Sequence, residues 1–220
     1  MLRFHLITLF PEACEAYLDS SILGRARKEK RIAVHYANPR DFANNRWGKV
    51  DERPYGGGPG MVMRAMPFVQ AIEKAVKRRK KPVTVWFSPS GPEFTNRDAD
   101  KLRAYTDVVI VCGRYEGIDE RAKKMARILG PVKTFSVGKA VYTGGEIPAL
   151  AVVDAITRRI PGVLGKDESV EERRISSPEV YTRPDAIVYK KKTYRVPSIL
   201  QTGDHARIDA WRAAKAKRKK

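Results

Sequence analysis

The sequence predicts an α/β fold on a largely parallel sheet, followed by a small helical C-terminal domain. Two observations predict the sheet. Short apolar runs of strand length recur through the first 160 residues, and longer stretches of helical character separate them. Strands that alternate with helices pair in parallel, because each helix carries the chain back across the sheet. A third observation predicts the second domain: after Ile160-Pro161-Gly162 the alternation stops and a polar, strongly charged stretch begins.

Residues 2–9 read as the first strand and 32–37 as the second. The first of these lacks the charged start, longer apolar run and small-residue cleavage site of a signal peptide. Residues 11–30 read as one helix, with Pro11 suited to a first turn. Residues 51–60, Asp-Glu-Arg-Pro-Tyr-Gly-Gly-Gly-Pro-Gly, read as a loop, because that density of Gly and Pro breaks regular structure. Residues 67–80 read as a helix and 83–87 as a buried strand. Residues 95–105 follow as a helix capped by Thr95. A continuous apolar strand is expected at 108–112, a helix at 118–129, a short strand at 132–137 and a helix at 148–159. The domain reading is therefore 1–160, a flexible linker at 161–180, and a C-terminal domain at 181–220 with a basic stretch at Lys190-Lys191-Lys192 and a last helix over 204–215.

Hydrophobic residues make up 42% of the chain, enough for a substantial core. No apolar run reaches the ~18 residues of a membrane span, so no membrane association is expected. Two cysteines, Cys14 and Cys112, offer no disulfide framework, and the cytoplasm is the expected compartment. His5, His35 and His205 are scattered without ligand spacing, so no metal site is read. The 44 Lys and Arg outnumber 25 Asp and Glu, a formal net charge of +19. Such an excess suits a polyanion partner, usually nucleic acid.

Three glycine-bearing loops follow three consecutive strands. They are Ser88-Pro89-Ser90-Gly91, Gly113-Arg114-Tyr115-Glu116-Gly117, and Ser136-Val137-Gly138 leading into Thr143-Gly144-Gly145-Glu146. Parallel sheets bind ligands beyond the carboxyl ends of their strands. Each loop alone suits a tight turn. Together at one sheet edge they suit a pocket, where glycine lets backbone groups approach a ligand. None of them matches a phosphate cradle. A cofactor held by backbone groups and apolar contacts fits better than a triphosphate.

Around these loops the chain closely resembles the bacterial tRNA (guanine-N1)-methyltransferases of the SPOUT superfamily. The stretches that carry the resemblance include Arg53-Pro54-Tyr55-Gly56-Gly57-Gly58-Pro59-Gly60-Met61-Val62-Met63 and Cys112-Gly113-Arg114-Tyr115-Glu116-Gly117-Ile118-Asp119. Tyr142-Thr143-Gly144-Gly145-Glu146-Ile147-Pro148, Ile160-Pro161-Gly162-Val163-Leu164-Gly165 and Tyr181-Thr182-Arg183-Pro184 follow in the same order. The resemblance implies a deep trefoil knot in the catalytic domain, bound S-adenosylmethionine, and an obligate homodimer with composite active sites. It implies methylation of N1 of the guanine just 3′ of the anticodon, with the tRNA anticodon stem-loop as partner and the C-terminal domain binding tRNA.

By the same resemblance the cofactor pocket maps to Pro89, Gly91, Gly113 and the stretch Val137, Gly138, Lys139, Ala140, Val141 and Tyr142. Gly144, Gly145 and Pro148 complete it, and Glu116 lies near the amino-acid tail of the donor. The family arginine before Ile-Pro-Gly maps to Arg158, the expected partner of guanine O6; a cation there also complements a helix C-terminus. The family base is an Asp in a Glu-Asp-Ser context, and its position, aligned without gaps from Gly165, falls on Arg173, which cannot accept a proton. Glu172, one residue earlier, is the candidate base, with Glu171 and Glu179 as alternatives and a solvated acidic run as the competing reading. The stretch Lys139-Ala140-Val141 also departs from the family pattern, and the sequence ends soon after Trp211, where the family usually continues. The altered acidic segment keeps a second reading open: a non-catalytic or altered-specificity RNA-binding protein on the same scaffold. Methyl transfer to tRNA separates the two.

Overall fold

A computed structural model describes residues 1–165 and 179–217. The chain divides into two compact units, Met1–Leu164 and Gly165–Lys220. The first unit runs β1 (Leu2–Ile7), α1 (Pro11–Leu18), α2 (Ser21–Lys28), β2 (Ile32–Ala37), β3 (Asp51–Glu52), β4 (Val62–Met63), α3 (Ala65–Val76), β5 (Pro82–Phe87), α4 (Asn96–Arg103), β6 (Asp107–Val111), α5 (Glu120–Leu129), β7 (Val132–Phe135) and α6 (Glu146–Thr157). The second holds β8 (Ala186–Tyr189), β9 (Lys192–Arg195) and α7 (His205–Lys217).

The central sheet has strand order β2-β1-β6-β5-β7, and every neighbouring pair is parallel. Both faces are covered, which is why the central strands β5 and β6 read as nearly continuous apolar runs. Alternation sorts their side chains between two cores. Phe4, Leu6, Val85, Val108 and Ile110 pack with Leu18 of α1, Leu23 of α2, and Val152 and Ile156 of α6. Ile7, Trp86, Val109 and Val111 pack on the other face with Phe68 and Ile72 of α3 and Ala122 and Ala126 of α5. Helix starts follow the local sequence. Thr95 and Asp98 form a reciprocal capping box at α4, and the Asp119 side chain accepts from the Arg121 N–H at α5.

Three local features differ from the sequence expectation. The single helix expected over 11–30 is two helices, with Ser21 at a φ of +47° where the second begins. Asp19-Ser20-Ser21 supplies short polar side chains that compete with helical hydrogen bonding. Gly24 lets α2 press on the Asp19 carbonyl, where any Cβ would overlap it. The glycine loop closes as a hairpin, since β3 and β4 pair through Asp51↔Met63 and Glu52↔Val62. A second antiparallel hairpin, β8–β9, stands where the sequence shows only a basic stretch. Residues 166–178 of the expected linker, Glu172 and Arg173 included, lie outside the described residues. Among those described, no helix is long and apolar enough to cross a membrane.

The amino end of the sheet is tied by a buried carboxylate. Asp107 is fully buried. It accepts two hydrogen bonds from the Arg3 guanidinium at 2.7 and 2.8 Å, one from Thr106 Oγ1 at 2.8 Å, and meets His5 Nε2 at 2.9 Å. Burial by itself pushes this carboxyl up, but the bonds from Arg3, His5 and Thr106 outweigh it and hold it well below the usual carboxylate range. For His5, burial dominates over the Asp107 bond and pushes the imidazole below its ordinary value. Both shifts act in one direction. A folded state that resists protonation loses stability as pH falls through the unfolded-state values, near ~6.5 for the imidazole and ~4 for the carboxyl.

Asp107→Asn should therefore cost about 3 kcal/mol at neutral pH, since it leaves Arg3 without its charge partner. Chemical denaturation at a series of pH values checks this. The parent should weaken further below pH ~4 and the variant should lack that second step. Equal stability of the two proteins at pH 7 would contradict the assignment.

Candidate functional site

The parallel sheet sets the carboxyl ends of β5, β6 and β7 side by side, and the loops that follow them meet in one cleft of about 290 Å3. Ser88 and Pro89 come from the loop after β5, Gly113 to Gly117 from the loop after β6, and Val137 and Ala140 to Gly145 from the loop after β7. Phe87, Phe135 and Pro148 close its apolar walls. The volume lies close to the lower end of the ~300–1,000 Å3 of small-molecule sites.

Backbone bonds fix the three loops to one another. Gly145 N–H donates to the Gly113 carbonyl at 2.9 Å, and Arg114 and Gly144 form an isolated antiparallel bridge. The loop after β7 thus crosses the end of β5 to reach the loop after β6. Gly145 permits this approach: a Cβ there would lie 2.6 Å from Cys112 Cα and 3.0 Å from Gly113 N. Ser88 N–H donates to the Phe135 carbonyl at 3.0 Å, and Phe94 N–H to the Ser136 carbonyl at 2.8 Å. Within the last loop, Tyr142 Oη donates to the Val137 carbonyl at 3.2 Å.

The glycine hairpin seats on the loop that carries Glu116. Glu116 N–H donates to the Met61 carbonyl at 3.1 Å and Met63 N–H to the Gly117 carbonyl at 2.9 Å. Gly60, at a φ of +79°, lies flat against Glu116, whose Cγ would be 2.8 Å from any Cβ. That contact and the left-handed backbone explain why glycine stands at the end of this hairpin.

Behind the cleft runs a buried polar chain. Thr8 Oγ1 donates to Glu146 Oε1 at 2.7 Å, and Glu146 Oε2 pairs with Arg114 Nη2 at 3.1 Å. Glu146 is buried in the first turn of α6, where the helix dipole favours its charge. The Arg114 guanidinium also lies over the Phe10 ring, 4.5 Å from its centre. This chain joins the end of β1 to two of the cleft loops. The nearby cysteines are poor nucleophiles. Burial, with Glu146 next, pushes the Cys14 thiol up to about 11 and Cys112 well above its ordinary value.

Of the pocket residues expected from the sequence, Pro89, Gly113, Glu116, Val137, Ala140, Val141, Tyr142, Gly144, Gly145 and Pro148 line the cleft. Gly91, Gly138 and Lys139 do not. Gly91 instead lets its turn pack on the Phe135–Ser136 backbone, where a Cβ would lie 3.0 Å from Phe135 C. Arg114 and Tyr115, whose loop the sequence assigns to the pocket, line it as well; sequence reasoning missed the Thr8–Glu146–Arg114 chain behind it. Arg114 and Glu146 sit inside glycine-loop motifs and Thr8 lies at the end of the first strand, but no local pattern announces their contact. Arg158 is not at the cleft. It follows the last residue of α6, whose start lines the cleft, so it stands about 15–20 Å further along the helix. Its neighbour Arg159 is buried and donates to Asp100 at 2.9 Å, which leaves Arg158 as the more exposed of the two. Glu172 lies outside the described residues.

Comparison with known proteins places this geometry. A family model described as tRNA (Guanine-1)-methyltransferase TrmD matches residues 2–220. The chain is 43% identical over 217 residues to a tRNA (guanine-N(1)-)-methyltransferase of Myxococcus xanthus, covering 96% of this chain and 84% of that one. It is 39% identical over 219 residues to the protein so named in Clostridioides difficile, covering 96% and 90%. With that of Campylobacter jejuni strain RM1221 it shares 38% identity over 212 residues, covering 94% and 88%. By the extent of the family match and by these relatives, the chain belongs to the tRNA (guanine-1)-methyltransferase family.

Proposed function

We propose that this protein methylates N1 of the guanine 3′-adjacent to the anticodon of tRNA, using S-adenosylmethionine, as a homodimer in the cytoplasm. The observation that carries the reading is the cleft where the loops after β5, β6 and β7 converge. Its residues fit the donor. Apolar walls from Phe87, Val137, Ala140 and Pro148 suit an adenine ring, and the glycine-bearing loops offer backbone groups to its edge. Glu116 supplies a carboxylate for the ammonium of the amino-acid tail. When bound, S-adenosylmethionine supplies an electrophilic methyl group on sulfur. The crossing of the loop after β7 over β5 supports the deep trefoil knot of the family.

The chain's own residues then act on the acceptor. Guanine N1 must lose its proton as the methyl arrives, so a base has to contact N1–H. Glu172 is proposed for that role. Charge develops on O6, where the Arg158 guanidinium is proposed to donate hydrogen bonds. Arg158 is separated from its own cleft by the length of α6, and this supports a composite site, with Arg158 serving the cleft of a second copy. The excess of Lys and Arg supports a tRNA partner, and the unit Gly165–Lys220 is proposed to bind it.

Three measurements test this. Gly113→Val puts a branched side chain at the cleft, where the nearest neighbour of a Cβ is the adjustable Ile118 side chain at 3.2 Å. The fold should survive and calorimetric titration with S-adenosylhomocysteine should show a large loss of affinity; unchanged affinity would contradict the pocket assignment. Arg158→Ala should slow single-turnover transfer on the order of 10²–10³-fold with donor affinity kept. Glu172→Gln should slow it on the order of 10²–10⁴-fold at neutral pH. That second defect should shrink at alkaline pH, where guanine N1 gives up its proton more readily. A parent-like rate at neutral pH removes Glu172 as the base, and a parent protein that binds donor and tRNA without transfer favours the non-catalytic reading.

A further inference from the structure

The hairpin of the second unit is not used by the chemistry above. Its strands pair through Ile187↔Tyr194 and Tyr189↔Lys192, so Tyr189 and Tyr194 are diagonal neighbours on one face. Both rings remain open: Tyr189 is 60% exposed and Tyr194 52%. An aromatic ring that is more than half exposed does not serve a core. Each ring carries a lysine over it, Lys190 at 5.5 Å from the Tyr189 ring and Lys192 at 5.3 Å from the Tyr194 ring. Residues 186–195 contain Lys190, Lys191, Lys192 and Arg195 and no acidic residue. The turn itself breaks a local rule. Lys190 and Lys191 sit at φ of +47° and +61°, where two-residue hairpin turns prefer Asn and Gly. The turn sets these two cations at the hairpin tip.

We infer that this hairpin face is a stacking platform for unpaired nucleotides of the RNA substrate, with Tyr189 and Tyr194 under the bases and Lys190 to Lys192 on the flanking phosphates. The chemistry selects this occupant. Exposed aromatics on a small sheet stack splayed bases, and base–aromatic stacking tolerates any sequence because every base has a π-face. A duplex offers phosphates but no free base faces, so it would use the lysines alone. The inference rests on the tRNA reading above and names the part of that substrate the hairpin takes: the single-stranded loop, not the stem.

The test uses the full-length protein, an anticodon stem-loop transcript, and the same stem closed as a blunt duplex. The double variant Tyr189→Thr/Tyr194→Thr keeps β-favouring residues and removes both rings. Its affinity for the stem-loop should fall on the order of 5- to 150-fold for each stack lost. Its affinity for the duplex and the slope of log K against log salt should stay at parent values, since no phosphate contact was removed. Tyr189→Phe/Tyr194→Phe keeps the rings and should bind the stem-loop like the parent. Unchanged stem-loop affinity in the threonine variant would overturn the inference, as would an equal loss on the duplex or a phenylalanine variant as weak as the threonine one. So would loss of binding to phosphatidylserine vesicles with stem-loop affinity intact, which would assign the face to membrane. S-adenosylhomocysteine titration runs alongside. A parent that takes no donor yet shows the tyrosine-dependent loop binding would sink the methyltransferase reading and leave the hairpin assignment standing.

Discussion

The approach of Gly145 to the Cys112–Gly113 backbone is the contact on which the site depends. The next strand in sequence after β6 in this sheet is β7, yet β5 lies between them. The loop after β7 must therefore cross the end of β5 before its backbone can bond to the loop after β6. There is room for that only because residue 145 has no side chain. Several consequences follow from this one contact. The cleft gains its third wall, α6 begins at the cleft edge, and Glu146 in its first turn is carried to Arg114 and Thr8. The direction of α6 then sends Arg158 away from the cleft that its own start helps to build.

Two buried carboxylates hold the two ends of the sheet, and they do different work. Asp107 at the amino end is surrounded by donors, and its surroundings include no cleft loop. It secures strand register, at the expense of stability in acid. Glu146 at the carboxyl end binds one group from the residue after β1 and one from the loop after β6. A charge kept out of water is retained only when it is paired; Arg114 pairs this one, and the Thr8 hydrogen bond ties it to a residue 138 positions away in the chain.

Much of this was legible in the residues. The strands at 83–87 and 108–112 were plain because both faces are buried, which leaves apolar runs broken only by Thr84. The Thr95 cap was plain because its partner, Asp98, is three residues away. The glycine loops pointed to the cleft because glycine at strand ends is a local signal. What was hidden has physical reasons. The break near Asp19 depends on Gly24 meeting a carbonyl, which no periodicity reports. The pairing of β3 with β4 spans two residues a side, too short for an alternating pattern. The β8–β9 hairpin has both faces open, so it lacks the apolar alternation that marks a strand on a core. The Arg114–Glu146 pair is a tertiary contact that neither motif announces alone. The roles proposed for Arg158 and Glu172 came from family resemblance, since nothing in their local sequence separates a catalytic group from a solvated charge.

The central proposal is that the cleft of one copy works with Arg158 of another. Mixed dimers of Gly113→Val and Arg158→Ala chains test it most directly. Each homodimer should transfer far more slowly than the parent. In the mixed dimer one site combines both defects, but the other joins an intact cleft with an intact Arg158. Transfer to tRNA should therefore reappear on mixing and rise with the fraction of mixed dimer. No recovery, with mixed dimers verified by mass, would mean that cleft and arginine act within one chain, and would contradict the account.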